Sequence, residues 1–245
     1  MSGHNKWSKI KNVKAKNEAE NSKLYTKIIR EITVAVREGG ADPNSNFKLK
    51  SIIAKAKTYN MPSDNINRVL KKNEKDLDNF DQITYEGYGP GGSAVMVEVL
   101  TDNKNRTASD VRHIFDKFGG NLATSGSVSY LFKRAGEIII LKGKGLTDDD
   151  IINHTLLSGA DDAEIYDTYY YVVTSPENFY EVKKYFEGNN VEIEEANVNL
   201  VALNNIKLPE EKLASFEKLV AALEDNDDVQ QVYHNVNLPD KPEEE

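Results

Sequence analysis

The sequence predicts an α+β protein with a helical N-terminal domain followed by two α/β domains, one inserted in the other. Its 245 residues exceed the length of one typical domain. Apolar residues first recur at helical spacing and then, beyond a polar stretch, at the alternation typical of strands. Strand and helix patterns follow in two sets. The predicted domains are 1–76, 77–134 together with 204–245, and the inserted 135–203.

The first domain is predicted to contain three short amphipathic helices. Apolar residues recur every four positions from Leu24 to Val36, and Gly39-Gly40 is a helix stop. A second helix begins near Ser45 or Asn46 and ends before Pro62, because the residue that precedes a proline is disfavoured in helical conformation. Ser63 is predicted to cap the third helix.

The polar stretch 73–82 is predicted to end the helical domain, and each α/β domain then has the order βαββαβ that is typical of ferredoxin-like folds. In the inserted domain we predict strands at 137–141, 163–166, 168–173 and 191–193, with helices at 149–157 and 177–186. In the discontinuous α/β domain that surrounds the insertion we predict strands at 94–101, 127–132, 198–203 and 229–233, with helices at 106–118 and 209–223.

Charge is segregated along the chain. The formal net charge is -9, but residues 1–75 contain 14 Lys and 3 Arg against 5 Glu and 2 Asp, a net charge of +10 that leaves -19 for the remainder. A concentrated basic segment supplies the local field that phosphates require, so we favour nucleic-acid binding over the alternative of an ordinary solvated surface. The residues expected to form this surface are Lys6, Trp7, Lys9, Lys11, Lys14 and Lys16 in a basic arm, and Lys23, Lys27 and Arg30 on the first helix. Arg37 on the first helix and Lys48, Lys50, Lys55 and Lys57 on the second are expected to extend it.

The sequence leaves open how this surface would recognise a nucleic acid. Trp7 either stacks on a base or pins the arm to the helices. The turn at Asn60-Met61-Pro62 resembles a helix-turn-helix connection. Few Arg, Gln or Asn positions are placed for bidentate contacts to bases, however, and lysine binds phosphate as a point charge.

Two further segments combine glycine or polar residues with strand ends. The loop from Tyr85 to Gly92 precedes a strand, and its glycines suit a tight turn or, as the alternative, a phosphate contact. The cluster from Asp102 to Thr107 lies between a strand and a helix, where Asn or Thr oxygens can cap the helix. As the alternative, Arg106, Arg112 and His113 project from one helix end towards RNA phosphates.

Several classes of function lack the residues they need. The chain has no cysteine, its four histidines are scattered, and no nucleophile, base and acid are arranged for catalysis. Asp148, Asp149 and Asp150 are explained by the dipole of a helix start rather than by a metal. We therefore predict no enzyme activity, no cofactor and no metal site, with a hydrolase that uses carboxylates of the acidic α/β cleft as the alternative. No apolar run is long enough for a membrane span, so a cytoplasmic location is expected.

Four motifs in order resemble the YebC/PmpR family, which includes the mitochondrial translational activator of cytochrome c oxidase subunit I. The resemblance spans nearly the whole chain, and without a transit peptide the sequence looks like a bacterial member. The motifs are Ser2 to Lys11, Asn60 to Ile66, Tyr85 to Gly92 and Leu100 to Thr107.

The resemblance implies a helical domain and two α/β domains around a central cleft. It also implies one of two roles, a DNA-binding transcriptional regulator or a ribosome-associated factor that assists translation of proline-rich stretches. The expected partners are DNA or ribosomal RNA, the ribosome in the second case and no membrane, with the protein a monomer. By position, the cleft is expected to be lined by Tyr85, Gly87, Tyr88, Gly89, Gly91, Gly92, Asn103, Asn105, Arg106 and Thr107.

Overall fold

A computed structural model describes residues 18–72, 76–143 and 145–238, apart from the side chains of residues 18–20. This part of the chain contains seven α-helices and two four-stranded antiparallel sheets, so the predicted α+β class is confirmed. In chain order the elements are α1 Glu18–Gly39, α2 Phe47–Thr58, α3 Ser63–Leu70, β1 Asp81–Gly89, β2 Ser93–Thr101, α4 Lys104–Lys117, β3 Asn121–Ala123, β4 Phe132–Leu141, α5 Asp148–Ser158, β5 Asp162–Ile165, β6 Tyr169–Thr174, α6 Phe179–Gly188, β7 Glu195–Ala202, α7 Glu210–Asp225 and β8 Val229–His234.

The described residues divide into two compact units. One unit contains residues 18–128 and 208–234, and therefore includes the three N-terminal helices together with the first sheet. The other contains residues 129–207 and 235–238 and includes the second sheet.

The three N-terminal helices form as predicted and share one apolar core. Asn46 caps α2, and its side chain accepts a hydrogen bond from Leu49 N at 3.0 Å. The predicted Ser63 cap is wrong, because Pro62 occupies the N-cap position of α3 without any side-chain hydrogen bond. The buried residues of this core are Ile28, Ile32, Ala35, Val36, Leu49, Ile52, Ala56, Met61, Ile66, Val69 and Leu77.

The first sheet has the strand order β3-β1-β2-β8. The predicted loop from Tyr85 to Gly92 is wrong, because Tyr85 to Gly89 lie in β1 and pair with β2 up to Gly89↔Ser93. Only Pro90–Gly92 form a turn. The strand was not predicted because glycine is uncommon in strands and favours loops. A Cβ at Gly87 would lie 2.6 Å from Phe115 Cε1, so glycine is required by close packing of α4.

The predicted strand at 127–132 is also wrong. Ser129–Leu131 form a 3-10 turn, and Phe132 begins β4 in the other sheet. The backbone amides of Gly126 and Val128 donate to the buried carboxylate of Glu86 at 2.8 Å each, so these groups have a side chain as partner instead of a strand. The elements of the first sheet therefore follow the order β1-β2-α4-β3 and, after the second sheet, α7-β8.

The second sheet has the predicted ferredoxin-like order βαββαβ, with strand order β5-β6-β4-β7. Its last strand is β7 rather than the predicted strand at 191–193, and β7 includes most of the strand predicted at 198–203. Pairing decides this assignment, because Phe132↔Ala202 through Ile139↔Glu195 join β7 to β4. The core between this sheet and helices α5 and α6 contains Ile138, Ile140, Ile151, Tyr170, Val172, Phe179, Val182, Phe186 and Val191.

Candidate nucleic-acid interface

Three of the predicted basic residues of helix α1, Lys23, Lys27 and Arg30, contact the segment where α7 ends. Lys23 forms an ion pair with Asp225. Lys27 Nζ donates to the backbone carbonyl of Glu224 at 2.6 Å. Carbonyls in the last turn of a helix have no partner within it and carry the negative end of its dipole, so both lysines stabilise this helix terminus.

Arg30 makes the most extensive of these contacts. Its Nη1 donates to the backbone carbonyls of Leu100 at 2.9 Å and Asp227 at 2.8 Å, and to Asp228 Oδ1 at 2.6 Å. The guanidinium carbon also lies 5.3 Å from the centroid of the Phe80 ring. With these contacts Arg30 fastens α1 to the first sheet.

Asp228 is the centre of a buried polar cluster. The residue is 4% exposed, and its second oxygen, Oδ2, accepts hydrogen bonds from Arg106 Nη2 at 2.8 Å, from Thr107 Oγ1 and from Thr101 Oγ1 at 3.3 Å. Burial acts to raise the pKa of Asp228, but the hydrogen bonds from Arg106, Thr107 and Arg30 outweigh it and lower that pKa to about 2. Asp228 is therefore ionised at neutral pH and binds two arginines.

The segment from Asp102 to Thr107 is arranged around this cluster. Asn103 caps α4 and accepts from Arg106 N at 3.1 Å, as the capping alternative predicted. Arg106 also pairs with Asp102 at 2.8 Å, and hydrogen bonds to Asp228 and Asp102 raise its pKa. Asn105 is exposed. In this structure the segment orders the start of α4 and binds Asp228.

The glycines of the segment from Tyr85 to Gly92 serve close packing and the formation of a turn. A Cβ at Gly89 would lie 2.6 Å from Ser93 Oγ, and Gly91 and Gly92 have φ angles of 72° and 77° in the turn. Tyr88 donates through its hydroxyl to Ser127 O at 2.9 Å. The Tyr85 hydroxyl donates to Lys104 O at 3.4 Å at the start of α4, and burial and the charge of Asp228 raise the pKa of Tyr85.

Helix α2 presents a different set of cations. Lys48 pairs with Glu38 at 2.7 Å and Lys55 with Glu31 at 2.8 Å, which joins α2 to α1 in an antiparallel arrangement. Lys50 and Lys57, seven residues apart and hence on one helix face, are exposed and form no ion pair with another described side chain. They are the basic residues of α2 available to an external anion.

The same side of α2 begins with an exposed aromatic ring. Phe47 is 75% exposed, three residues before Lys50. Further along the chain, Arg68 and Lys71 are exposed and likewise lack an ion pair among the described residues. We call Phe47, Lys50, Lys57, Arg68 and Lys71 the exposed basic set. Its aromatic member was missed in the sequence because an apolar side chain near a helix start is normally assigned to a core.

The remaining predicted contact residues lie outside the described residues: Lys6, Trp7, Lys9, Lys11, Lys14 and Lys16. Within the described ranges, no three His, Asp or Glu side chains are grouped to hold a metal ion. Nor does any helix there combine the length and apolar character needed to cross a bilayer. Asp228, which organises the predicted polar segment, was missed because its partners lie more than a hundred residues away.

Three N-terminal helices and a four-stranded antiparallel sheet in one unit, with a ferredoxin-like βαββαβ arrangement in the other, define a class of multidomain α+β proteins. Family models for this class match the chain twice: the TACO1/YebC protein N-terminal domain matches residues 5–76, and the TACO1/YebC second and third domain matches residues 80–236. The chain belongs to the TACO1/YebC family.

Relatives and a solved structure agree with this assignment. The chain is 45% identical to a probable transcriptional regulatory protein of Thermoanaerobacter pseudethanolicus, with complete coverage of both chains. It is 49% identical to a probable transcriptional regulatory protein of Finegoldia magna, covering 96% of this chain and 98% of the relative. The crystal structure of a conserved hypothetical protein from Aquifex aeolicus matches with a TM-score of 0.82 at 43% identity, covering 93% of this chain and 94% of that one.

Proposed function

We propose that the protein is a nucleic-acid-binding regulatory protein of the cytoplasm that acts as a monomer, and that it is a DNA-binding transcriptional regulator. The observation that carries the proposal is the segregation of charge, with +10 on residues 1–75 and -19 on the remainder. Such a distribution directs a polyanion to one end of the chain and repels it from the rest. The names of the relatives, probable transcriptional regulatory proteins, support the regulatory role.

The contacts of α1 and α2 divide the described cations into two groups. Lys23, Lys27 and Arg30 are engaged with residues 224–228. Lys50 and Lys57 are exposed and unpaired among the described side chains. Since a cation that is already neutralised releases few counterions from DNA, we assign phosphate binding to the exposed basic set together with the lysines of residues 6–16.

The experiment compares two double variants on one helix. Lys50→Ala with Lys57→Ala removes two unpaired charges, and Lys48→Ala with Lys55→Ala removes two charges that are paired with Glu38 and Glu31. Binding to duplex DNA is measured by fluorescence anisotropy over a range of salt concentrations. The first variant is expected to reduce the slope of log Kobs against log salt by about 1.8, and the second by much less. Equal slopes for the wild type and the first variant would exclude α2 from the interface.

Sequence preference tests the transcriptional role separately. A gel shift against promoter fragments with competitor DNA is expected to show a preferred site that persists at physiological salt. If all fragments bind equally and affinity only falls with salt, the protein binds nucleic acid but is not a site-specific regulator.

The second candidate function is a ribosome-associated translation factor that binds RNA and relieves stalling at proline-rich stretches. Phe47 is the observation that favours it, because exposed aromatic rings beside cations bind unpaired bases by stacking, and ribosomal RNA offers such bases. Fractionation of a cell lysate on a sucrose gradient is expected to place the protein with ribosomes. Recovery entirely in the free fractions after crosslinking would contradict this function.

A further inference from the structure

Helix α5 of the second unit has an outward face that is apolar. Ile151 and Thr155 are buried against the sheet and α6, whereas Ile152, Leu156 and Leu157 are 45%, 74% and 73% exposed. Single exposed apolar residues are common on protein surfaces. Three on one helix, two of them among the most exposed large apolar side chains described, are typical of a binding surface.

Acidic residues precede and follow helix α5 in the sequence. Residues 147–168 contain seven Asp or Glu and no Lys or Arg. Asp148 pairs with Lys142, and Asp150 closes a capping box with Thr147, so these two are used within the unit. The others include Asp149 before Ile152 and, after the helix, Asp161 and Asp167. These three are exposed and form no ion pair with a described side chain.

Strand β5 adds a third feature to the same region. It lies at the edge of its sheet in the order β5-β6-β4-β7, packs against α5, and exposes 41% of Ile165. Its residues Asp162 and Glu164 belong to the acidic group. The helix face and the neighbouring sheet edge thus share one chemistry, exposed apolar side chains with acidic residues beside them.

This chemistry selects the kind of partner. Nucleic acid and the anionic surface of a membrane are both repelled by the acidic residues. A partner that presents apolar side chains at helical spacing together with Lys or Arg satisfies both features, because it buries Leu156 and Leu157 and pairs with the carboxylates.

We propose that the α5 face, formed by Asp149, Ile152, Leu156, Leu157 and Asp161, is the docking surface for a basic amphipathic helix of a partner protein. Its apolar residues anchor the partner, and the carboxylates select its charge and accelerate the encounter. The face lies in a different unit from the exposed basic set. It gives the protein a second, protein-directed contact independent of nucleic-acid binding.

The test uses the full chain and a fluorescent synthetic Lys/Leu peptide whose leucines recur at helical spacing. A peptide of the same composition but scrambled order, which has no apolar face, is the probe control. Wild-type protein is expected to bind the amphipathic peptide at least about tenfold more tightly than the scrambled one. Leu156→Ser with Leu157→Ser is expected to abolish this preference, whereas Leu203→Ser, which removes an exposed leucine elsewhere in the unit, leaves it unchanged.

The charge component has its own variant. Asp149→Asn with Asp161→Asn is expected to weaken peptide binding at low salt and to reduce its salt dependence. The thermal unfolding temperature is expected to fall only slightly, because Asp149→Asn removes one exposed charge from the first turn of α5. Equal binding of the two peptides by wild-type protein overturns the proposal, as does full affinity in the leucine variant. Concentration-dependent dimerisation that the leucine variant abolishes also overturns it, since the occupant is then a second copy of the chain.

Discussion

Arg30 and Asp228 lie 198 residues apart in the sequence, and Arg30 Nη1 is 2.6 Å from Asp228 Oδ1. The side chains of the pair are 16% and 5% exposed, so the contact is largely removed from water. Arg106 binds the other carboxylate oxygen, which joins α1, the start of α4 and the residue before β8 in one cluster. A charge predicted to face nucleic acid thereby acts inside the protein.

Asp228→Ala is expected to lower the free energy of unfolding by about 3 kcal/mol, because it leaves the buried end of Arg30 without its counterion. Urea denaturation measures the loss. Asp225→Ala is the matched control, since it removes the exposed partner of Lys23 and is expected to cost less than about 1 kcal/mol. Equal losses for the two variants contradict a structural role for the buried cluster.

Acid is expected to weaken the protein through the same carboxylate. The pKa of Asp228 is about 2 in the folded chain, below the value of about 3.9 for an unfolded Asp, so its contribution is fully present above about pH 5 and is lost as the pH falls through 2. That contribution is on the order of 2 to 3 kcal/mol. We expect the difference in unfolding free energy between wild type and Asp228→Asn to shrink between about pH 5 and pH 2. A pH-independent difference contradicts the assignment.

Gly87→Ala is expected to destabilise the first sheet by about 1 to 3 kcal/mol, because the added Cβ would lie 2.6 Å from Phe115 Cε1 and 2.9 Å from the backbone oxygen of Asn121. Gly188→Ala, where nothing lies within 4 Å, is the control. Thermal unfolding reports the difference. If Gly87→Ala instead keeps full stability and loses nucleic-acid binding, the glycine serves ligand approach rather than packing.

Phe47→Ala distinguishes single-stranded from duplex targets. Loss of one stacking contact is expected to weaken binding of single-stranded RNA by about 1 to 3 kcal/mol, with little change for duplex DNA. Anisotropy titrations with both nucleic acids give the comparison. Tyr180→Ala, which removes a 66% exposed aromatic ring from the other unit, controls for nonspecific effects. An equal loss for both nucleic acids removes the support that Phe47 gives to the translation role.

Lys9→Ala with Lys11→Ala tests the N-terminal basic segment. If each lysine contacts one phosphate, the slope of log Kobs against log salt is expected to fall by about 1.8 on duplex DNA, and affinity to fall for all sequences alike. A change in sequence preference at constant slope contradicts a role limited to phosphate contact.

Local sequence patterns determined the N-terminal helices and the first three strands of the second sheet. The four-residue recurrence from Leu24 to Val36 and the restriction imposed by Pro62 act between neighbouring residues, so they are visible without tertiary structure. The same holds for the helices of the βαββαβ unit. The charge segregation that supports the proposed function is likewise a property of the sequence alone.

Tertiary contacts decided what these patterns could not. Gly87 lies in a strand that pairs with β2, and Phe115 of α4 packs against it, although the glycine content of residues 85–92 favoured a loop. Pairing with β4 placed residues 198–202 in the second sheet. Lys50 and Lys55 have the same chemistry, yet only Lys55 meets a carboxylate of α1. A lysine or arginine carries its charge wherever the chain places it, and whether that charge is available to a ligand depends on partners brought close by folding.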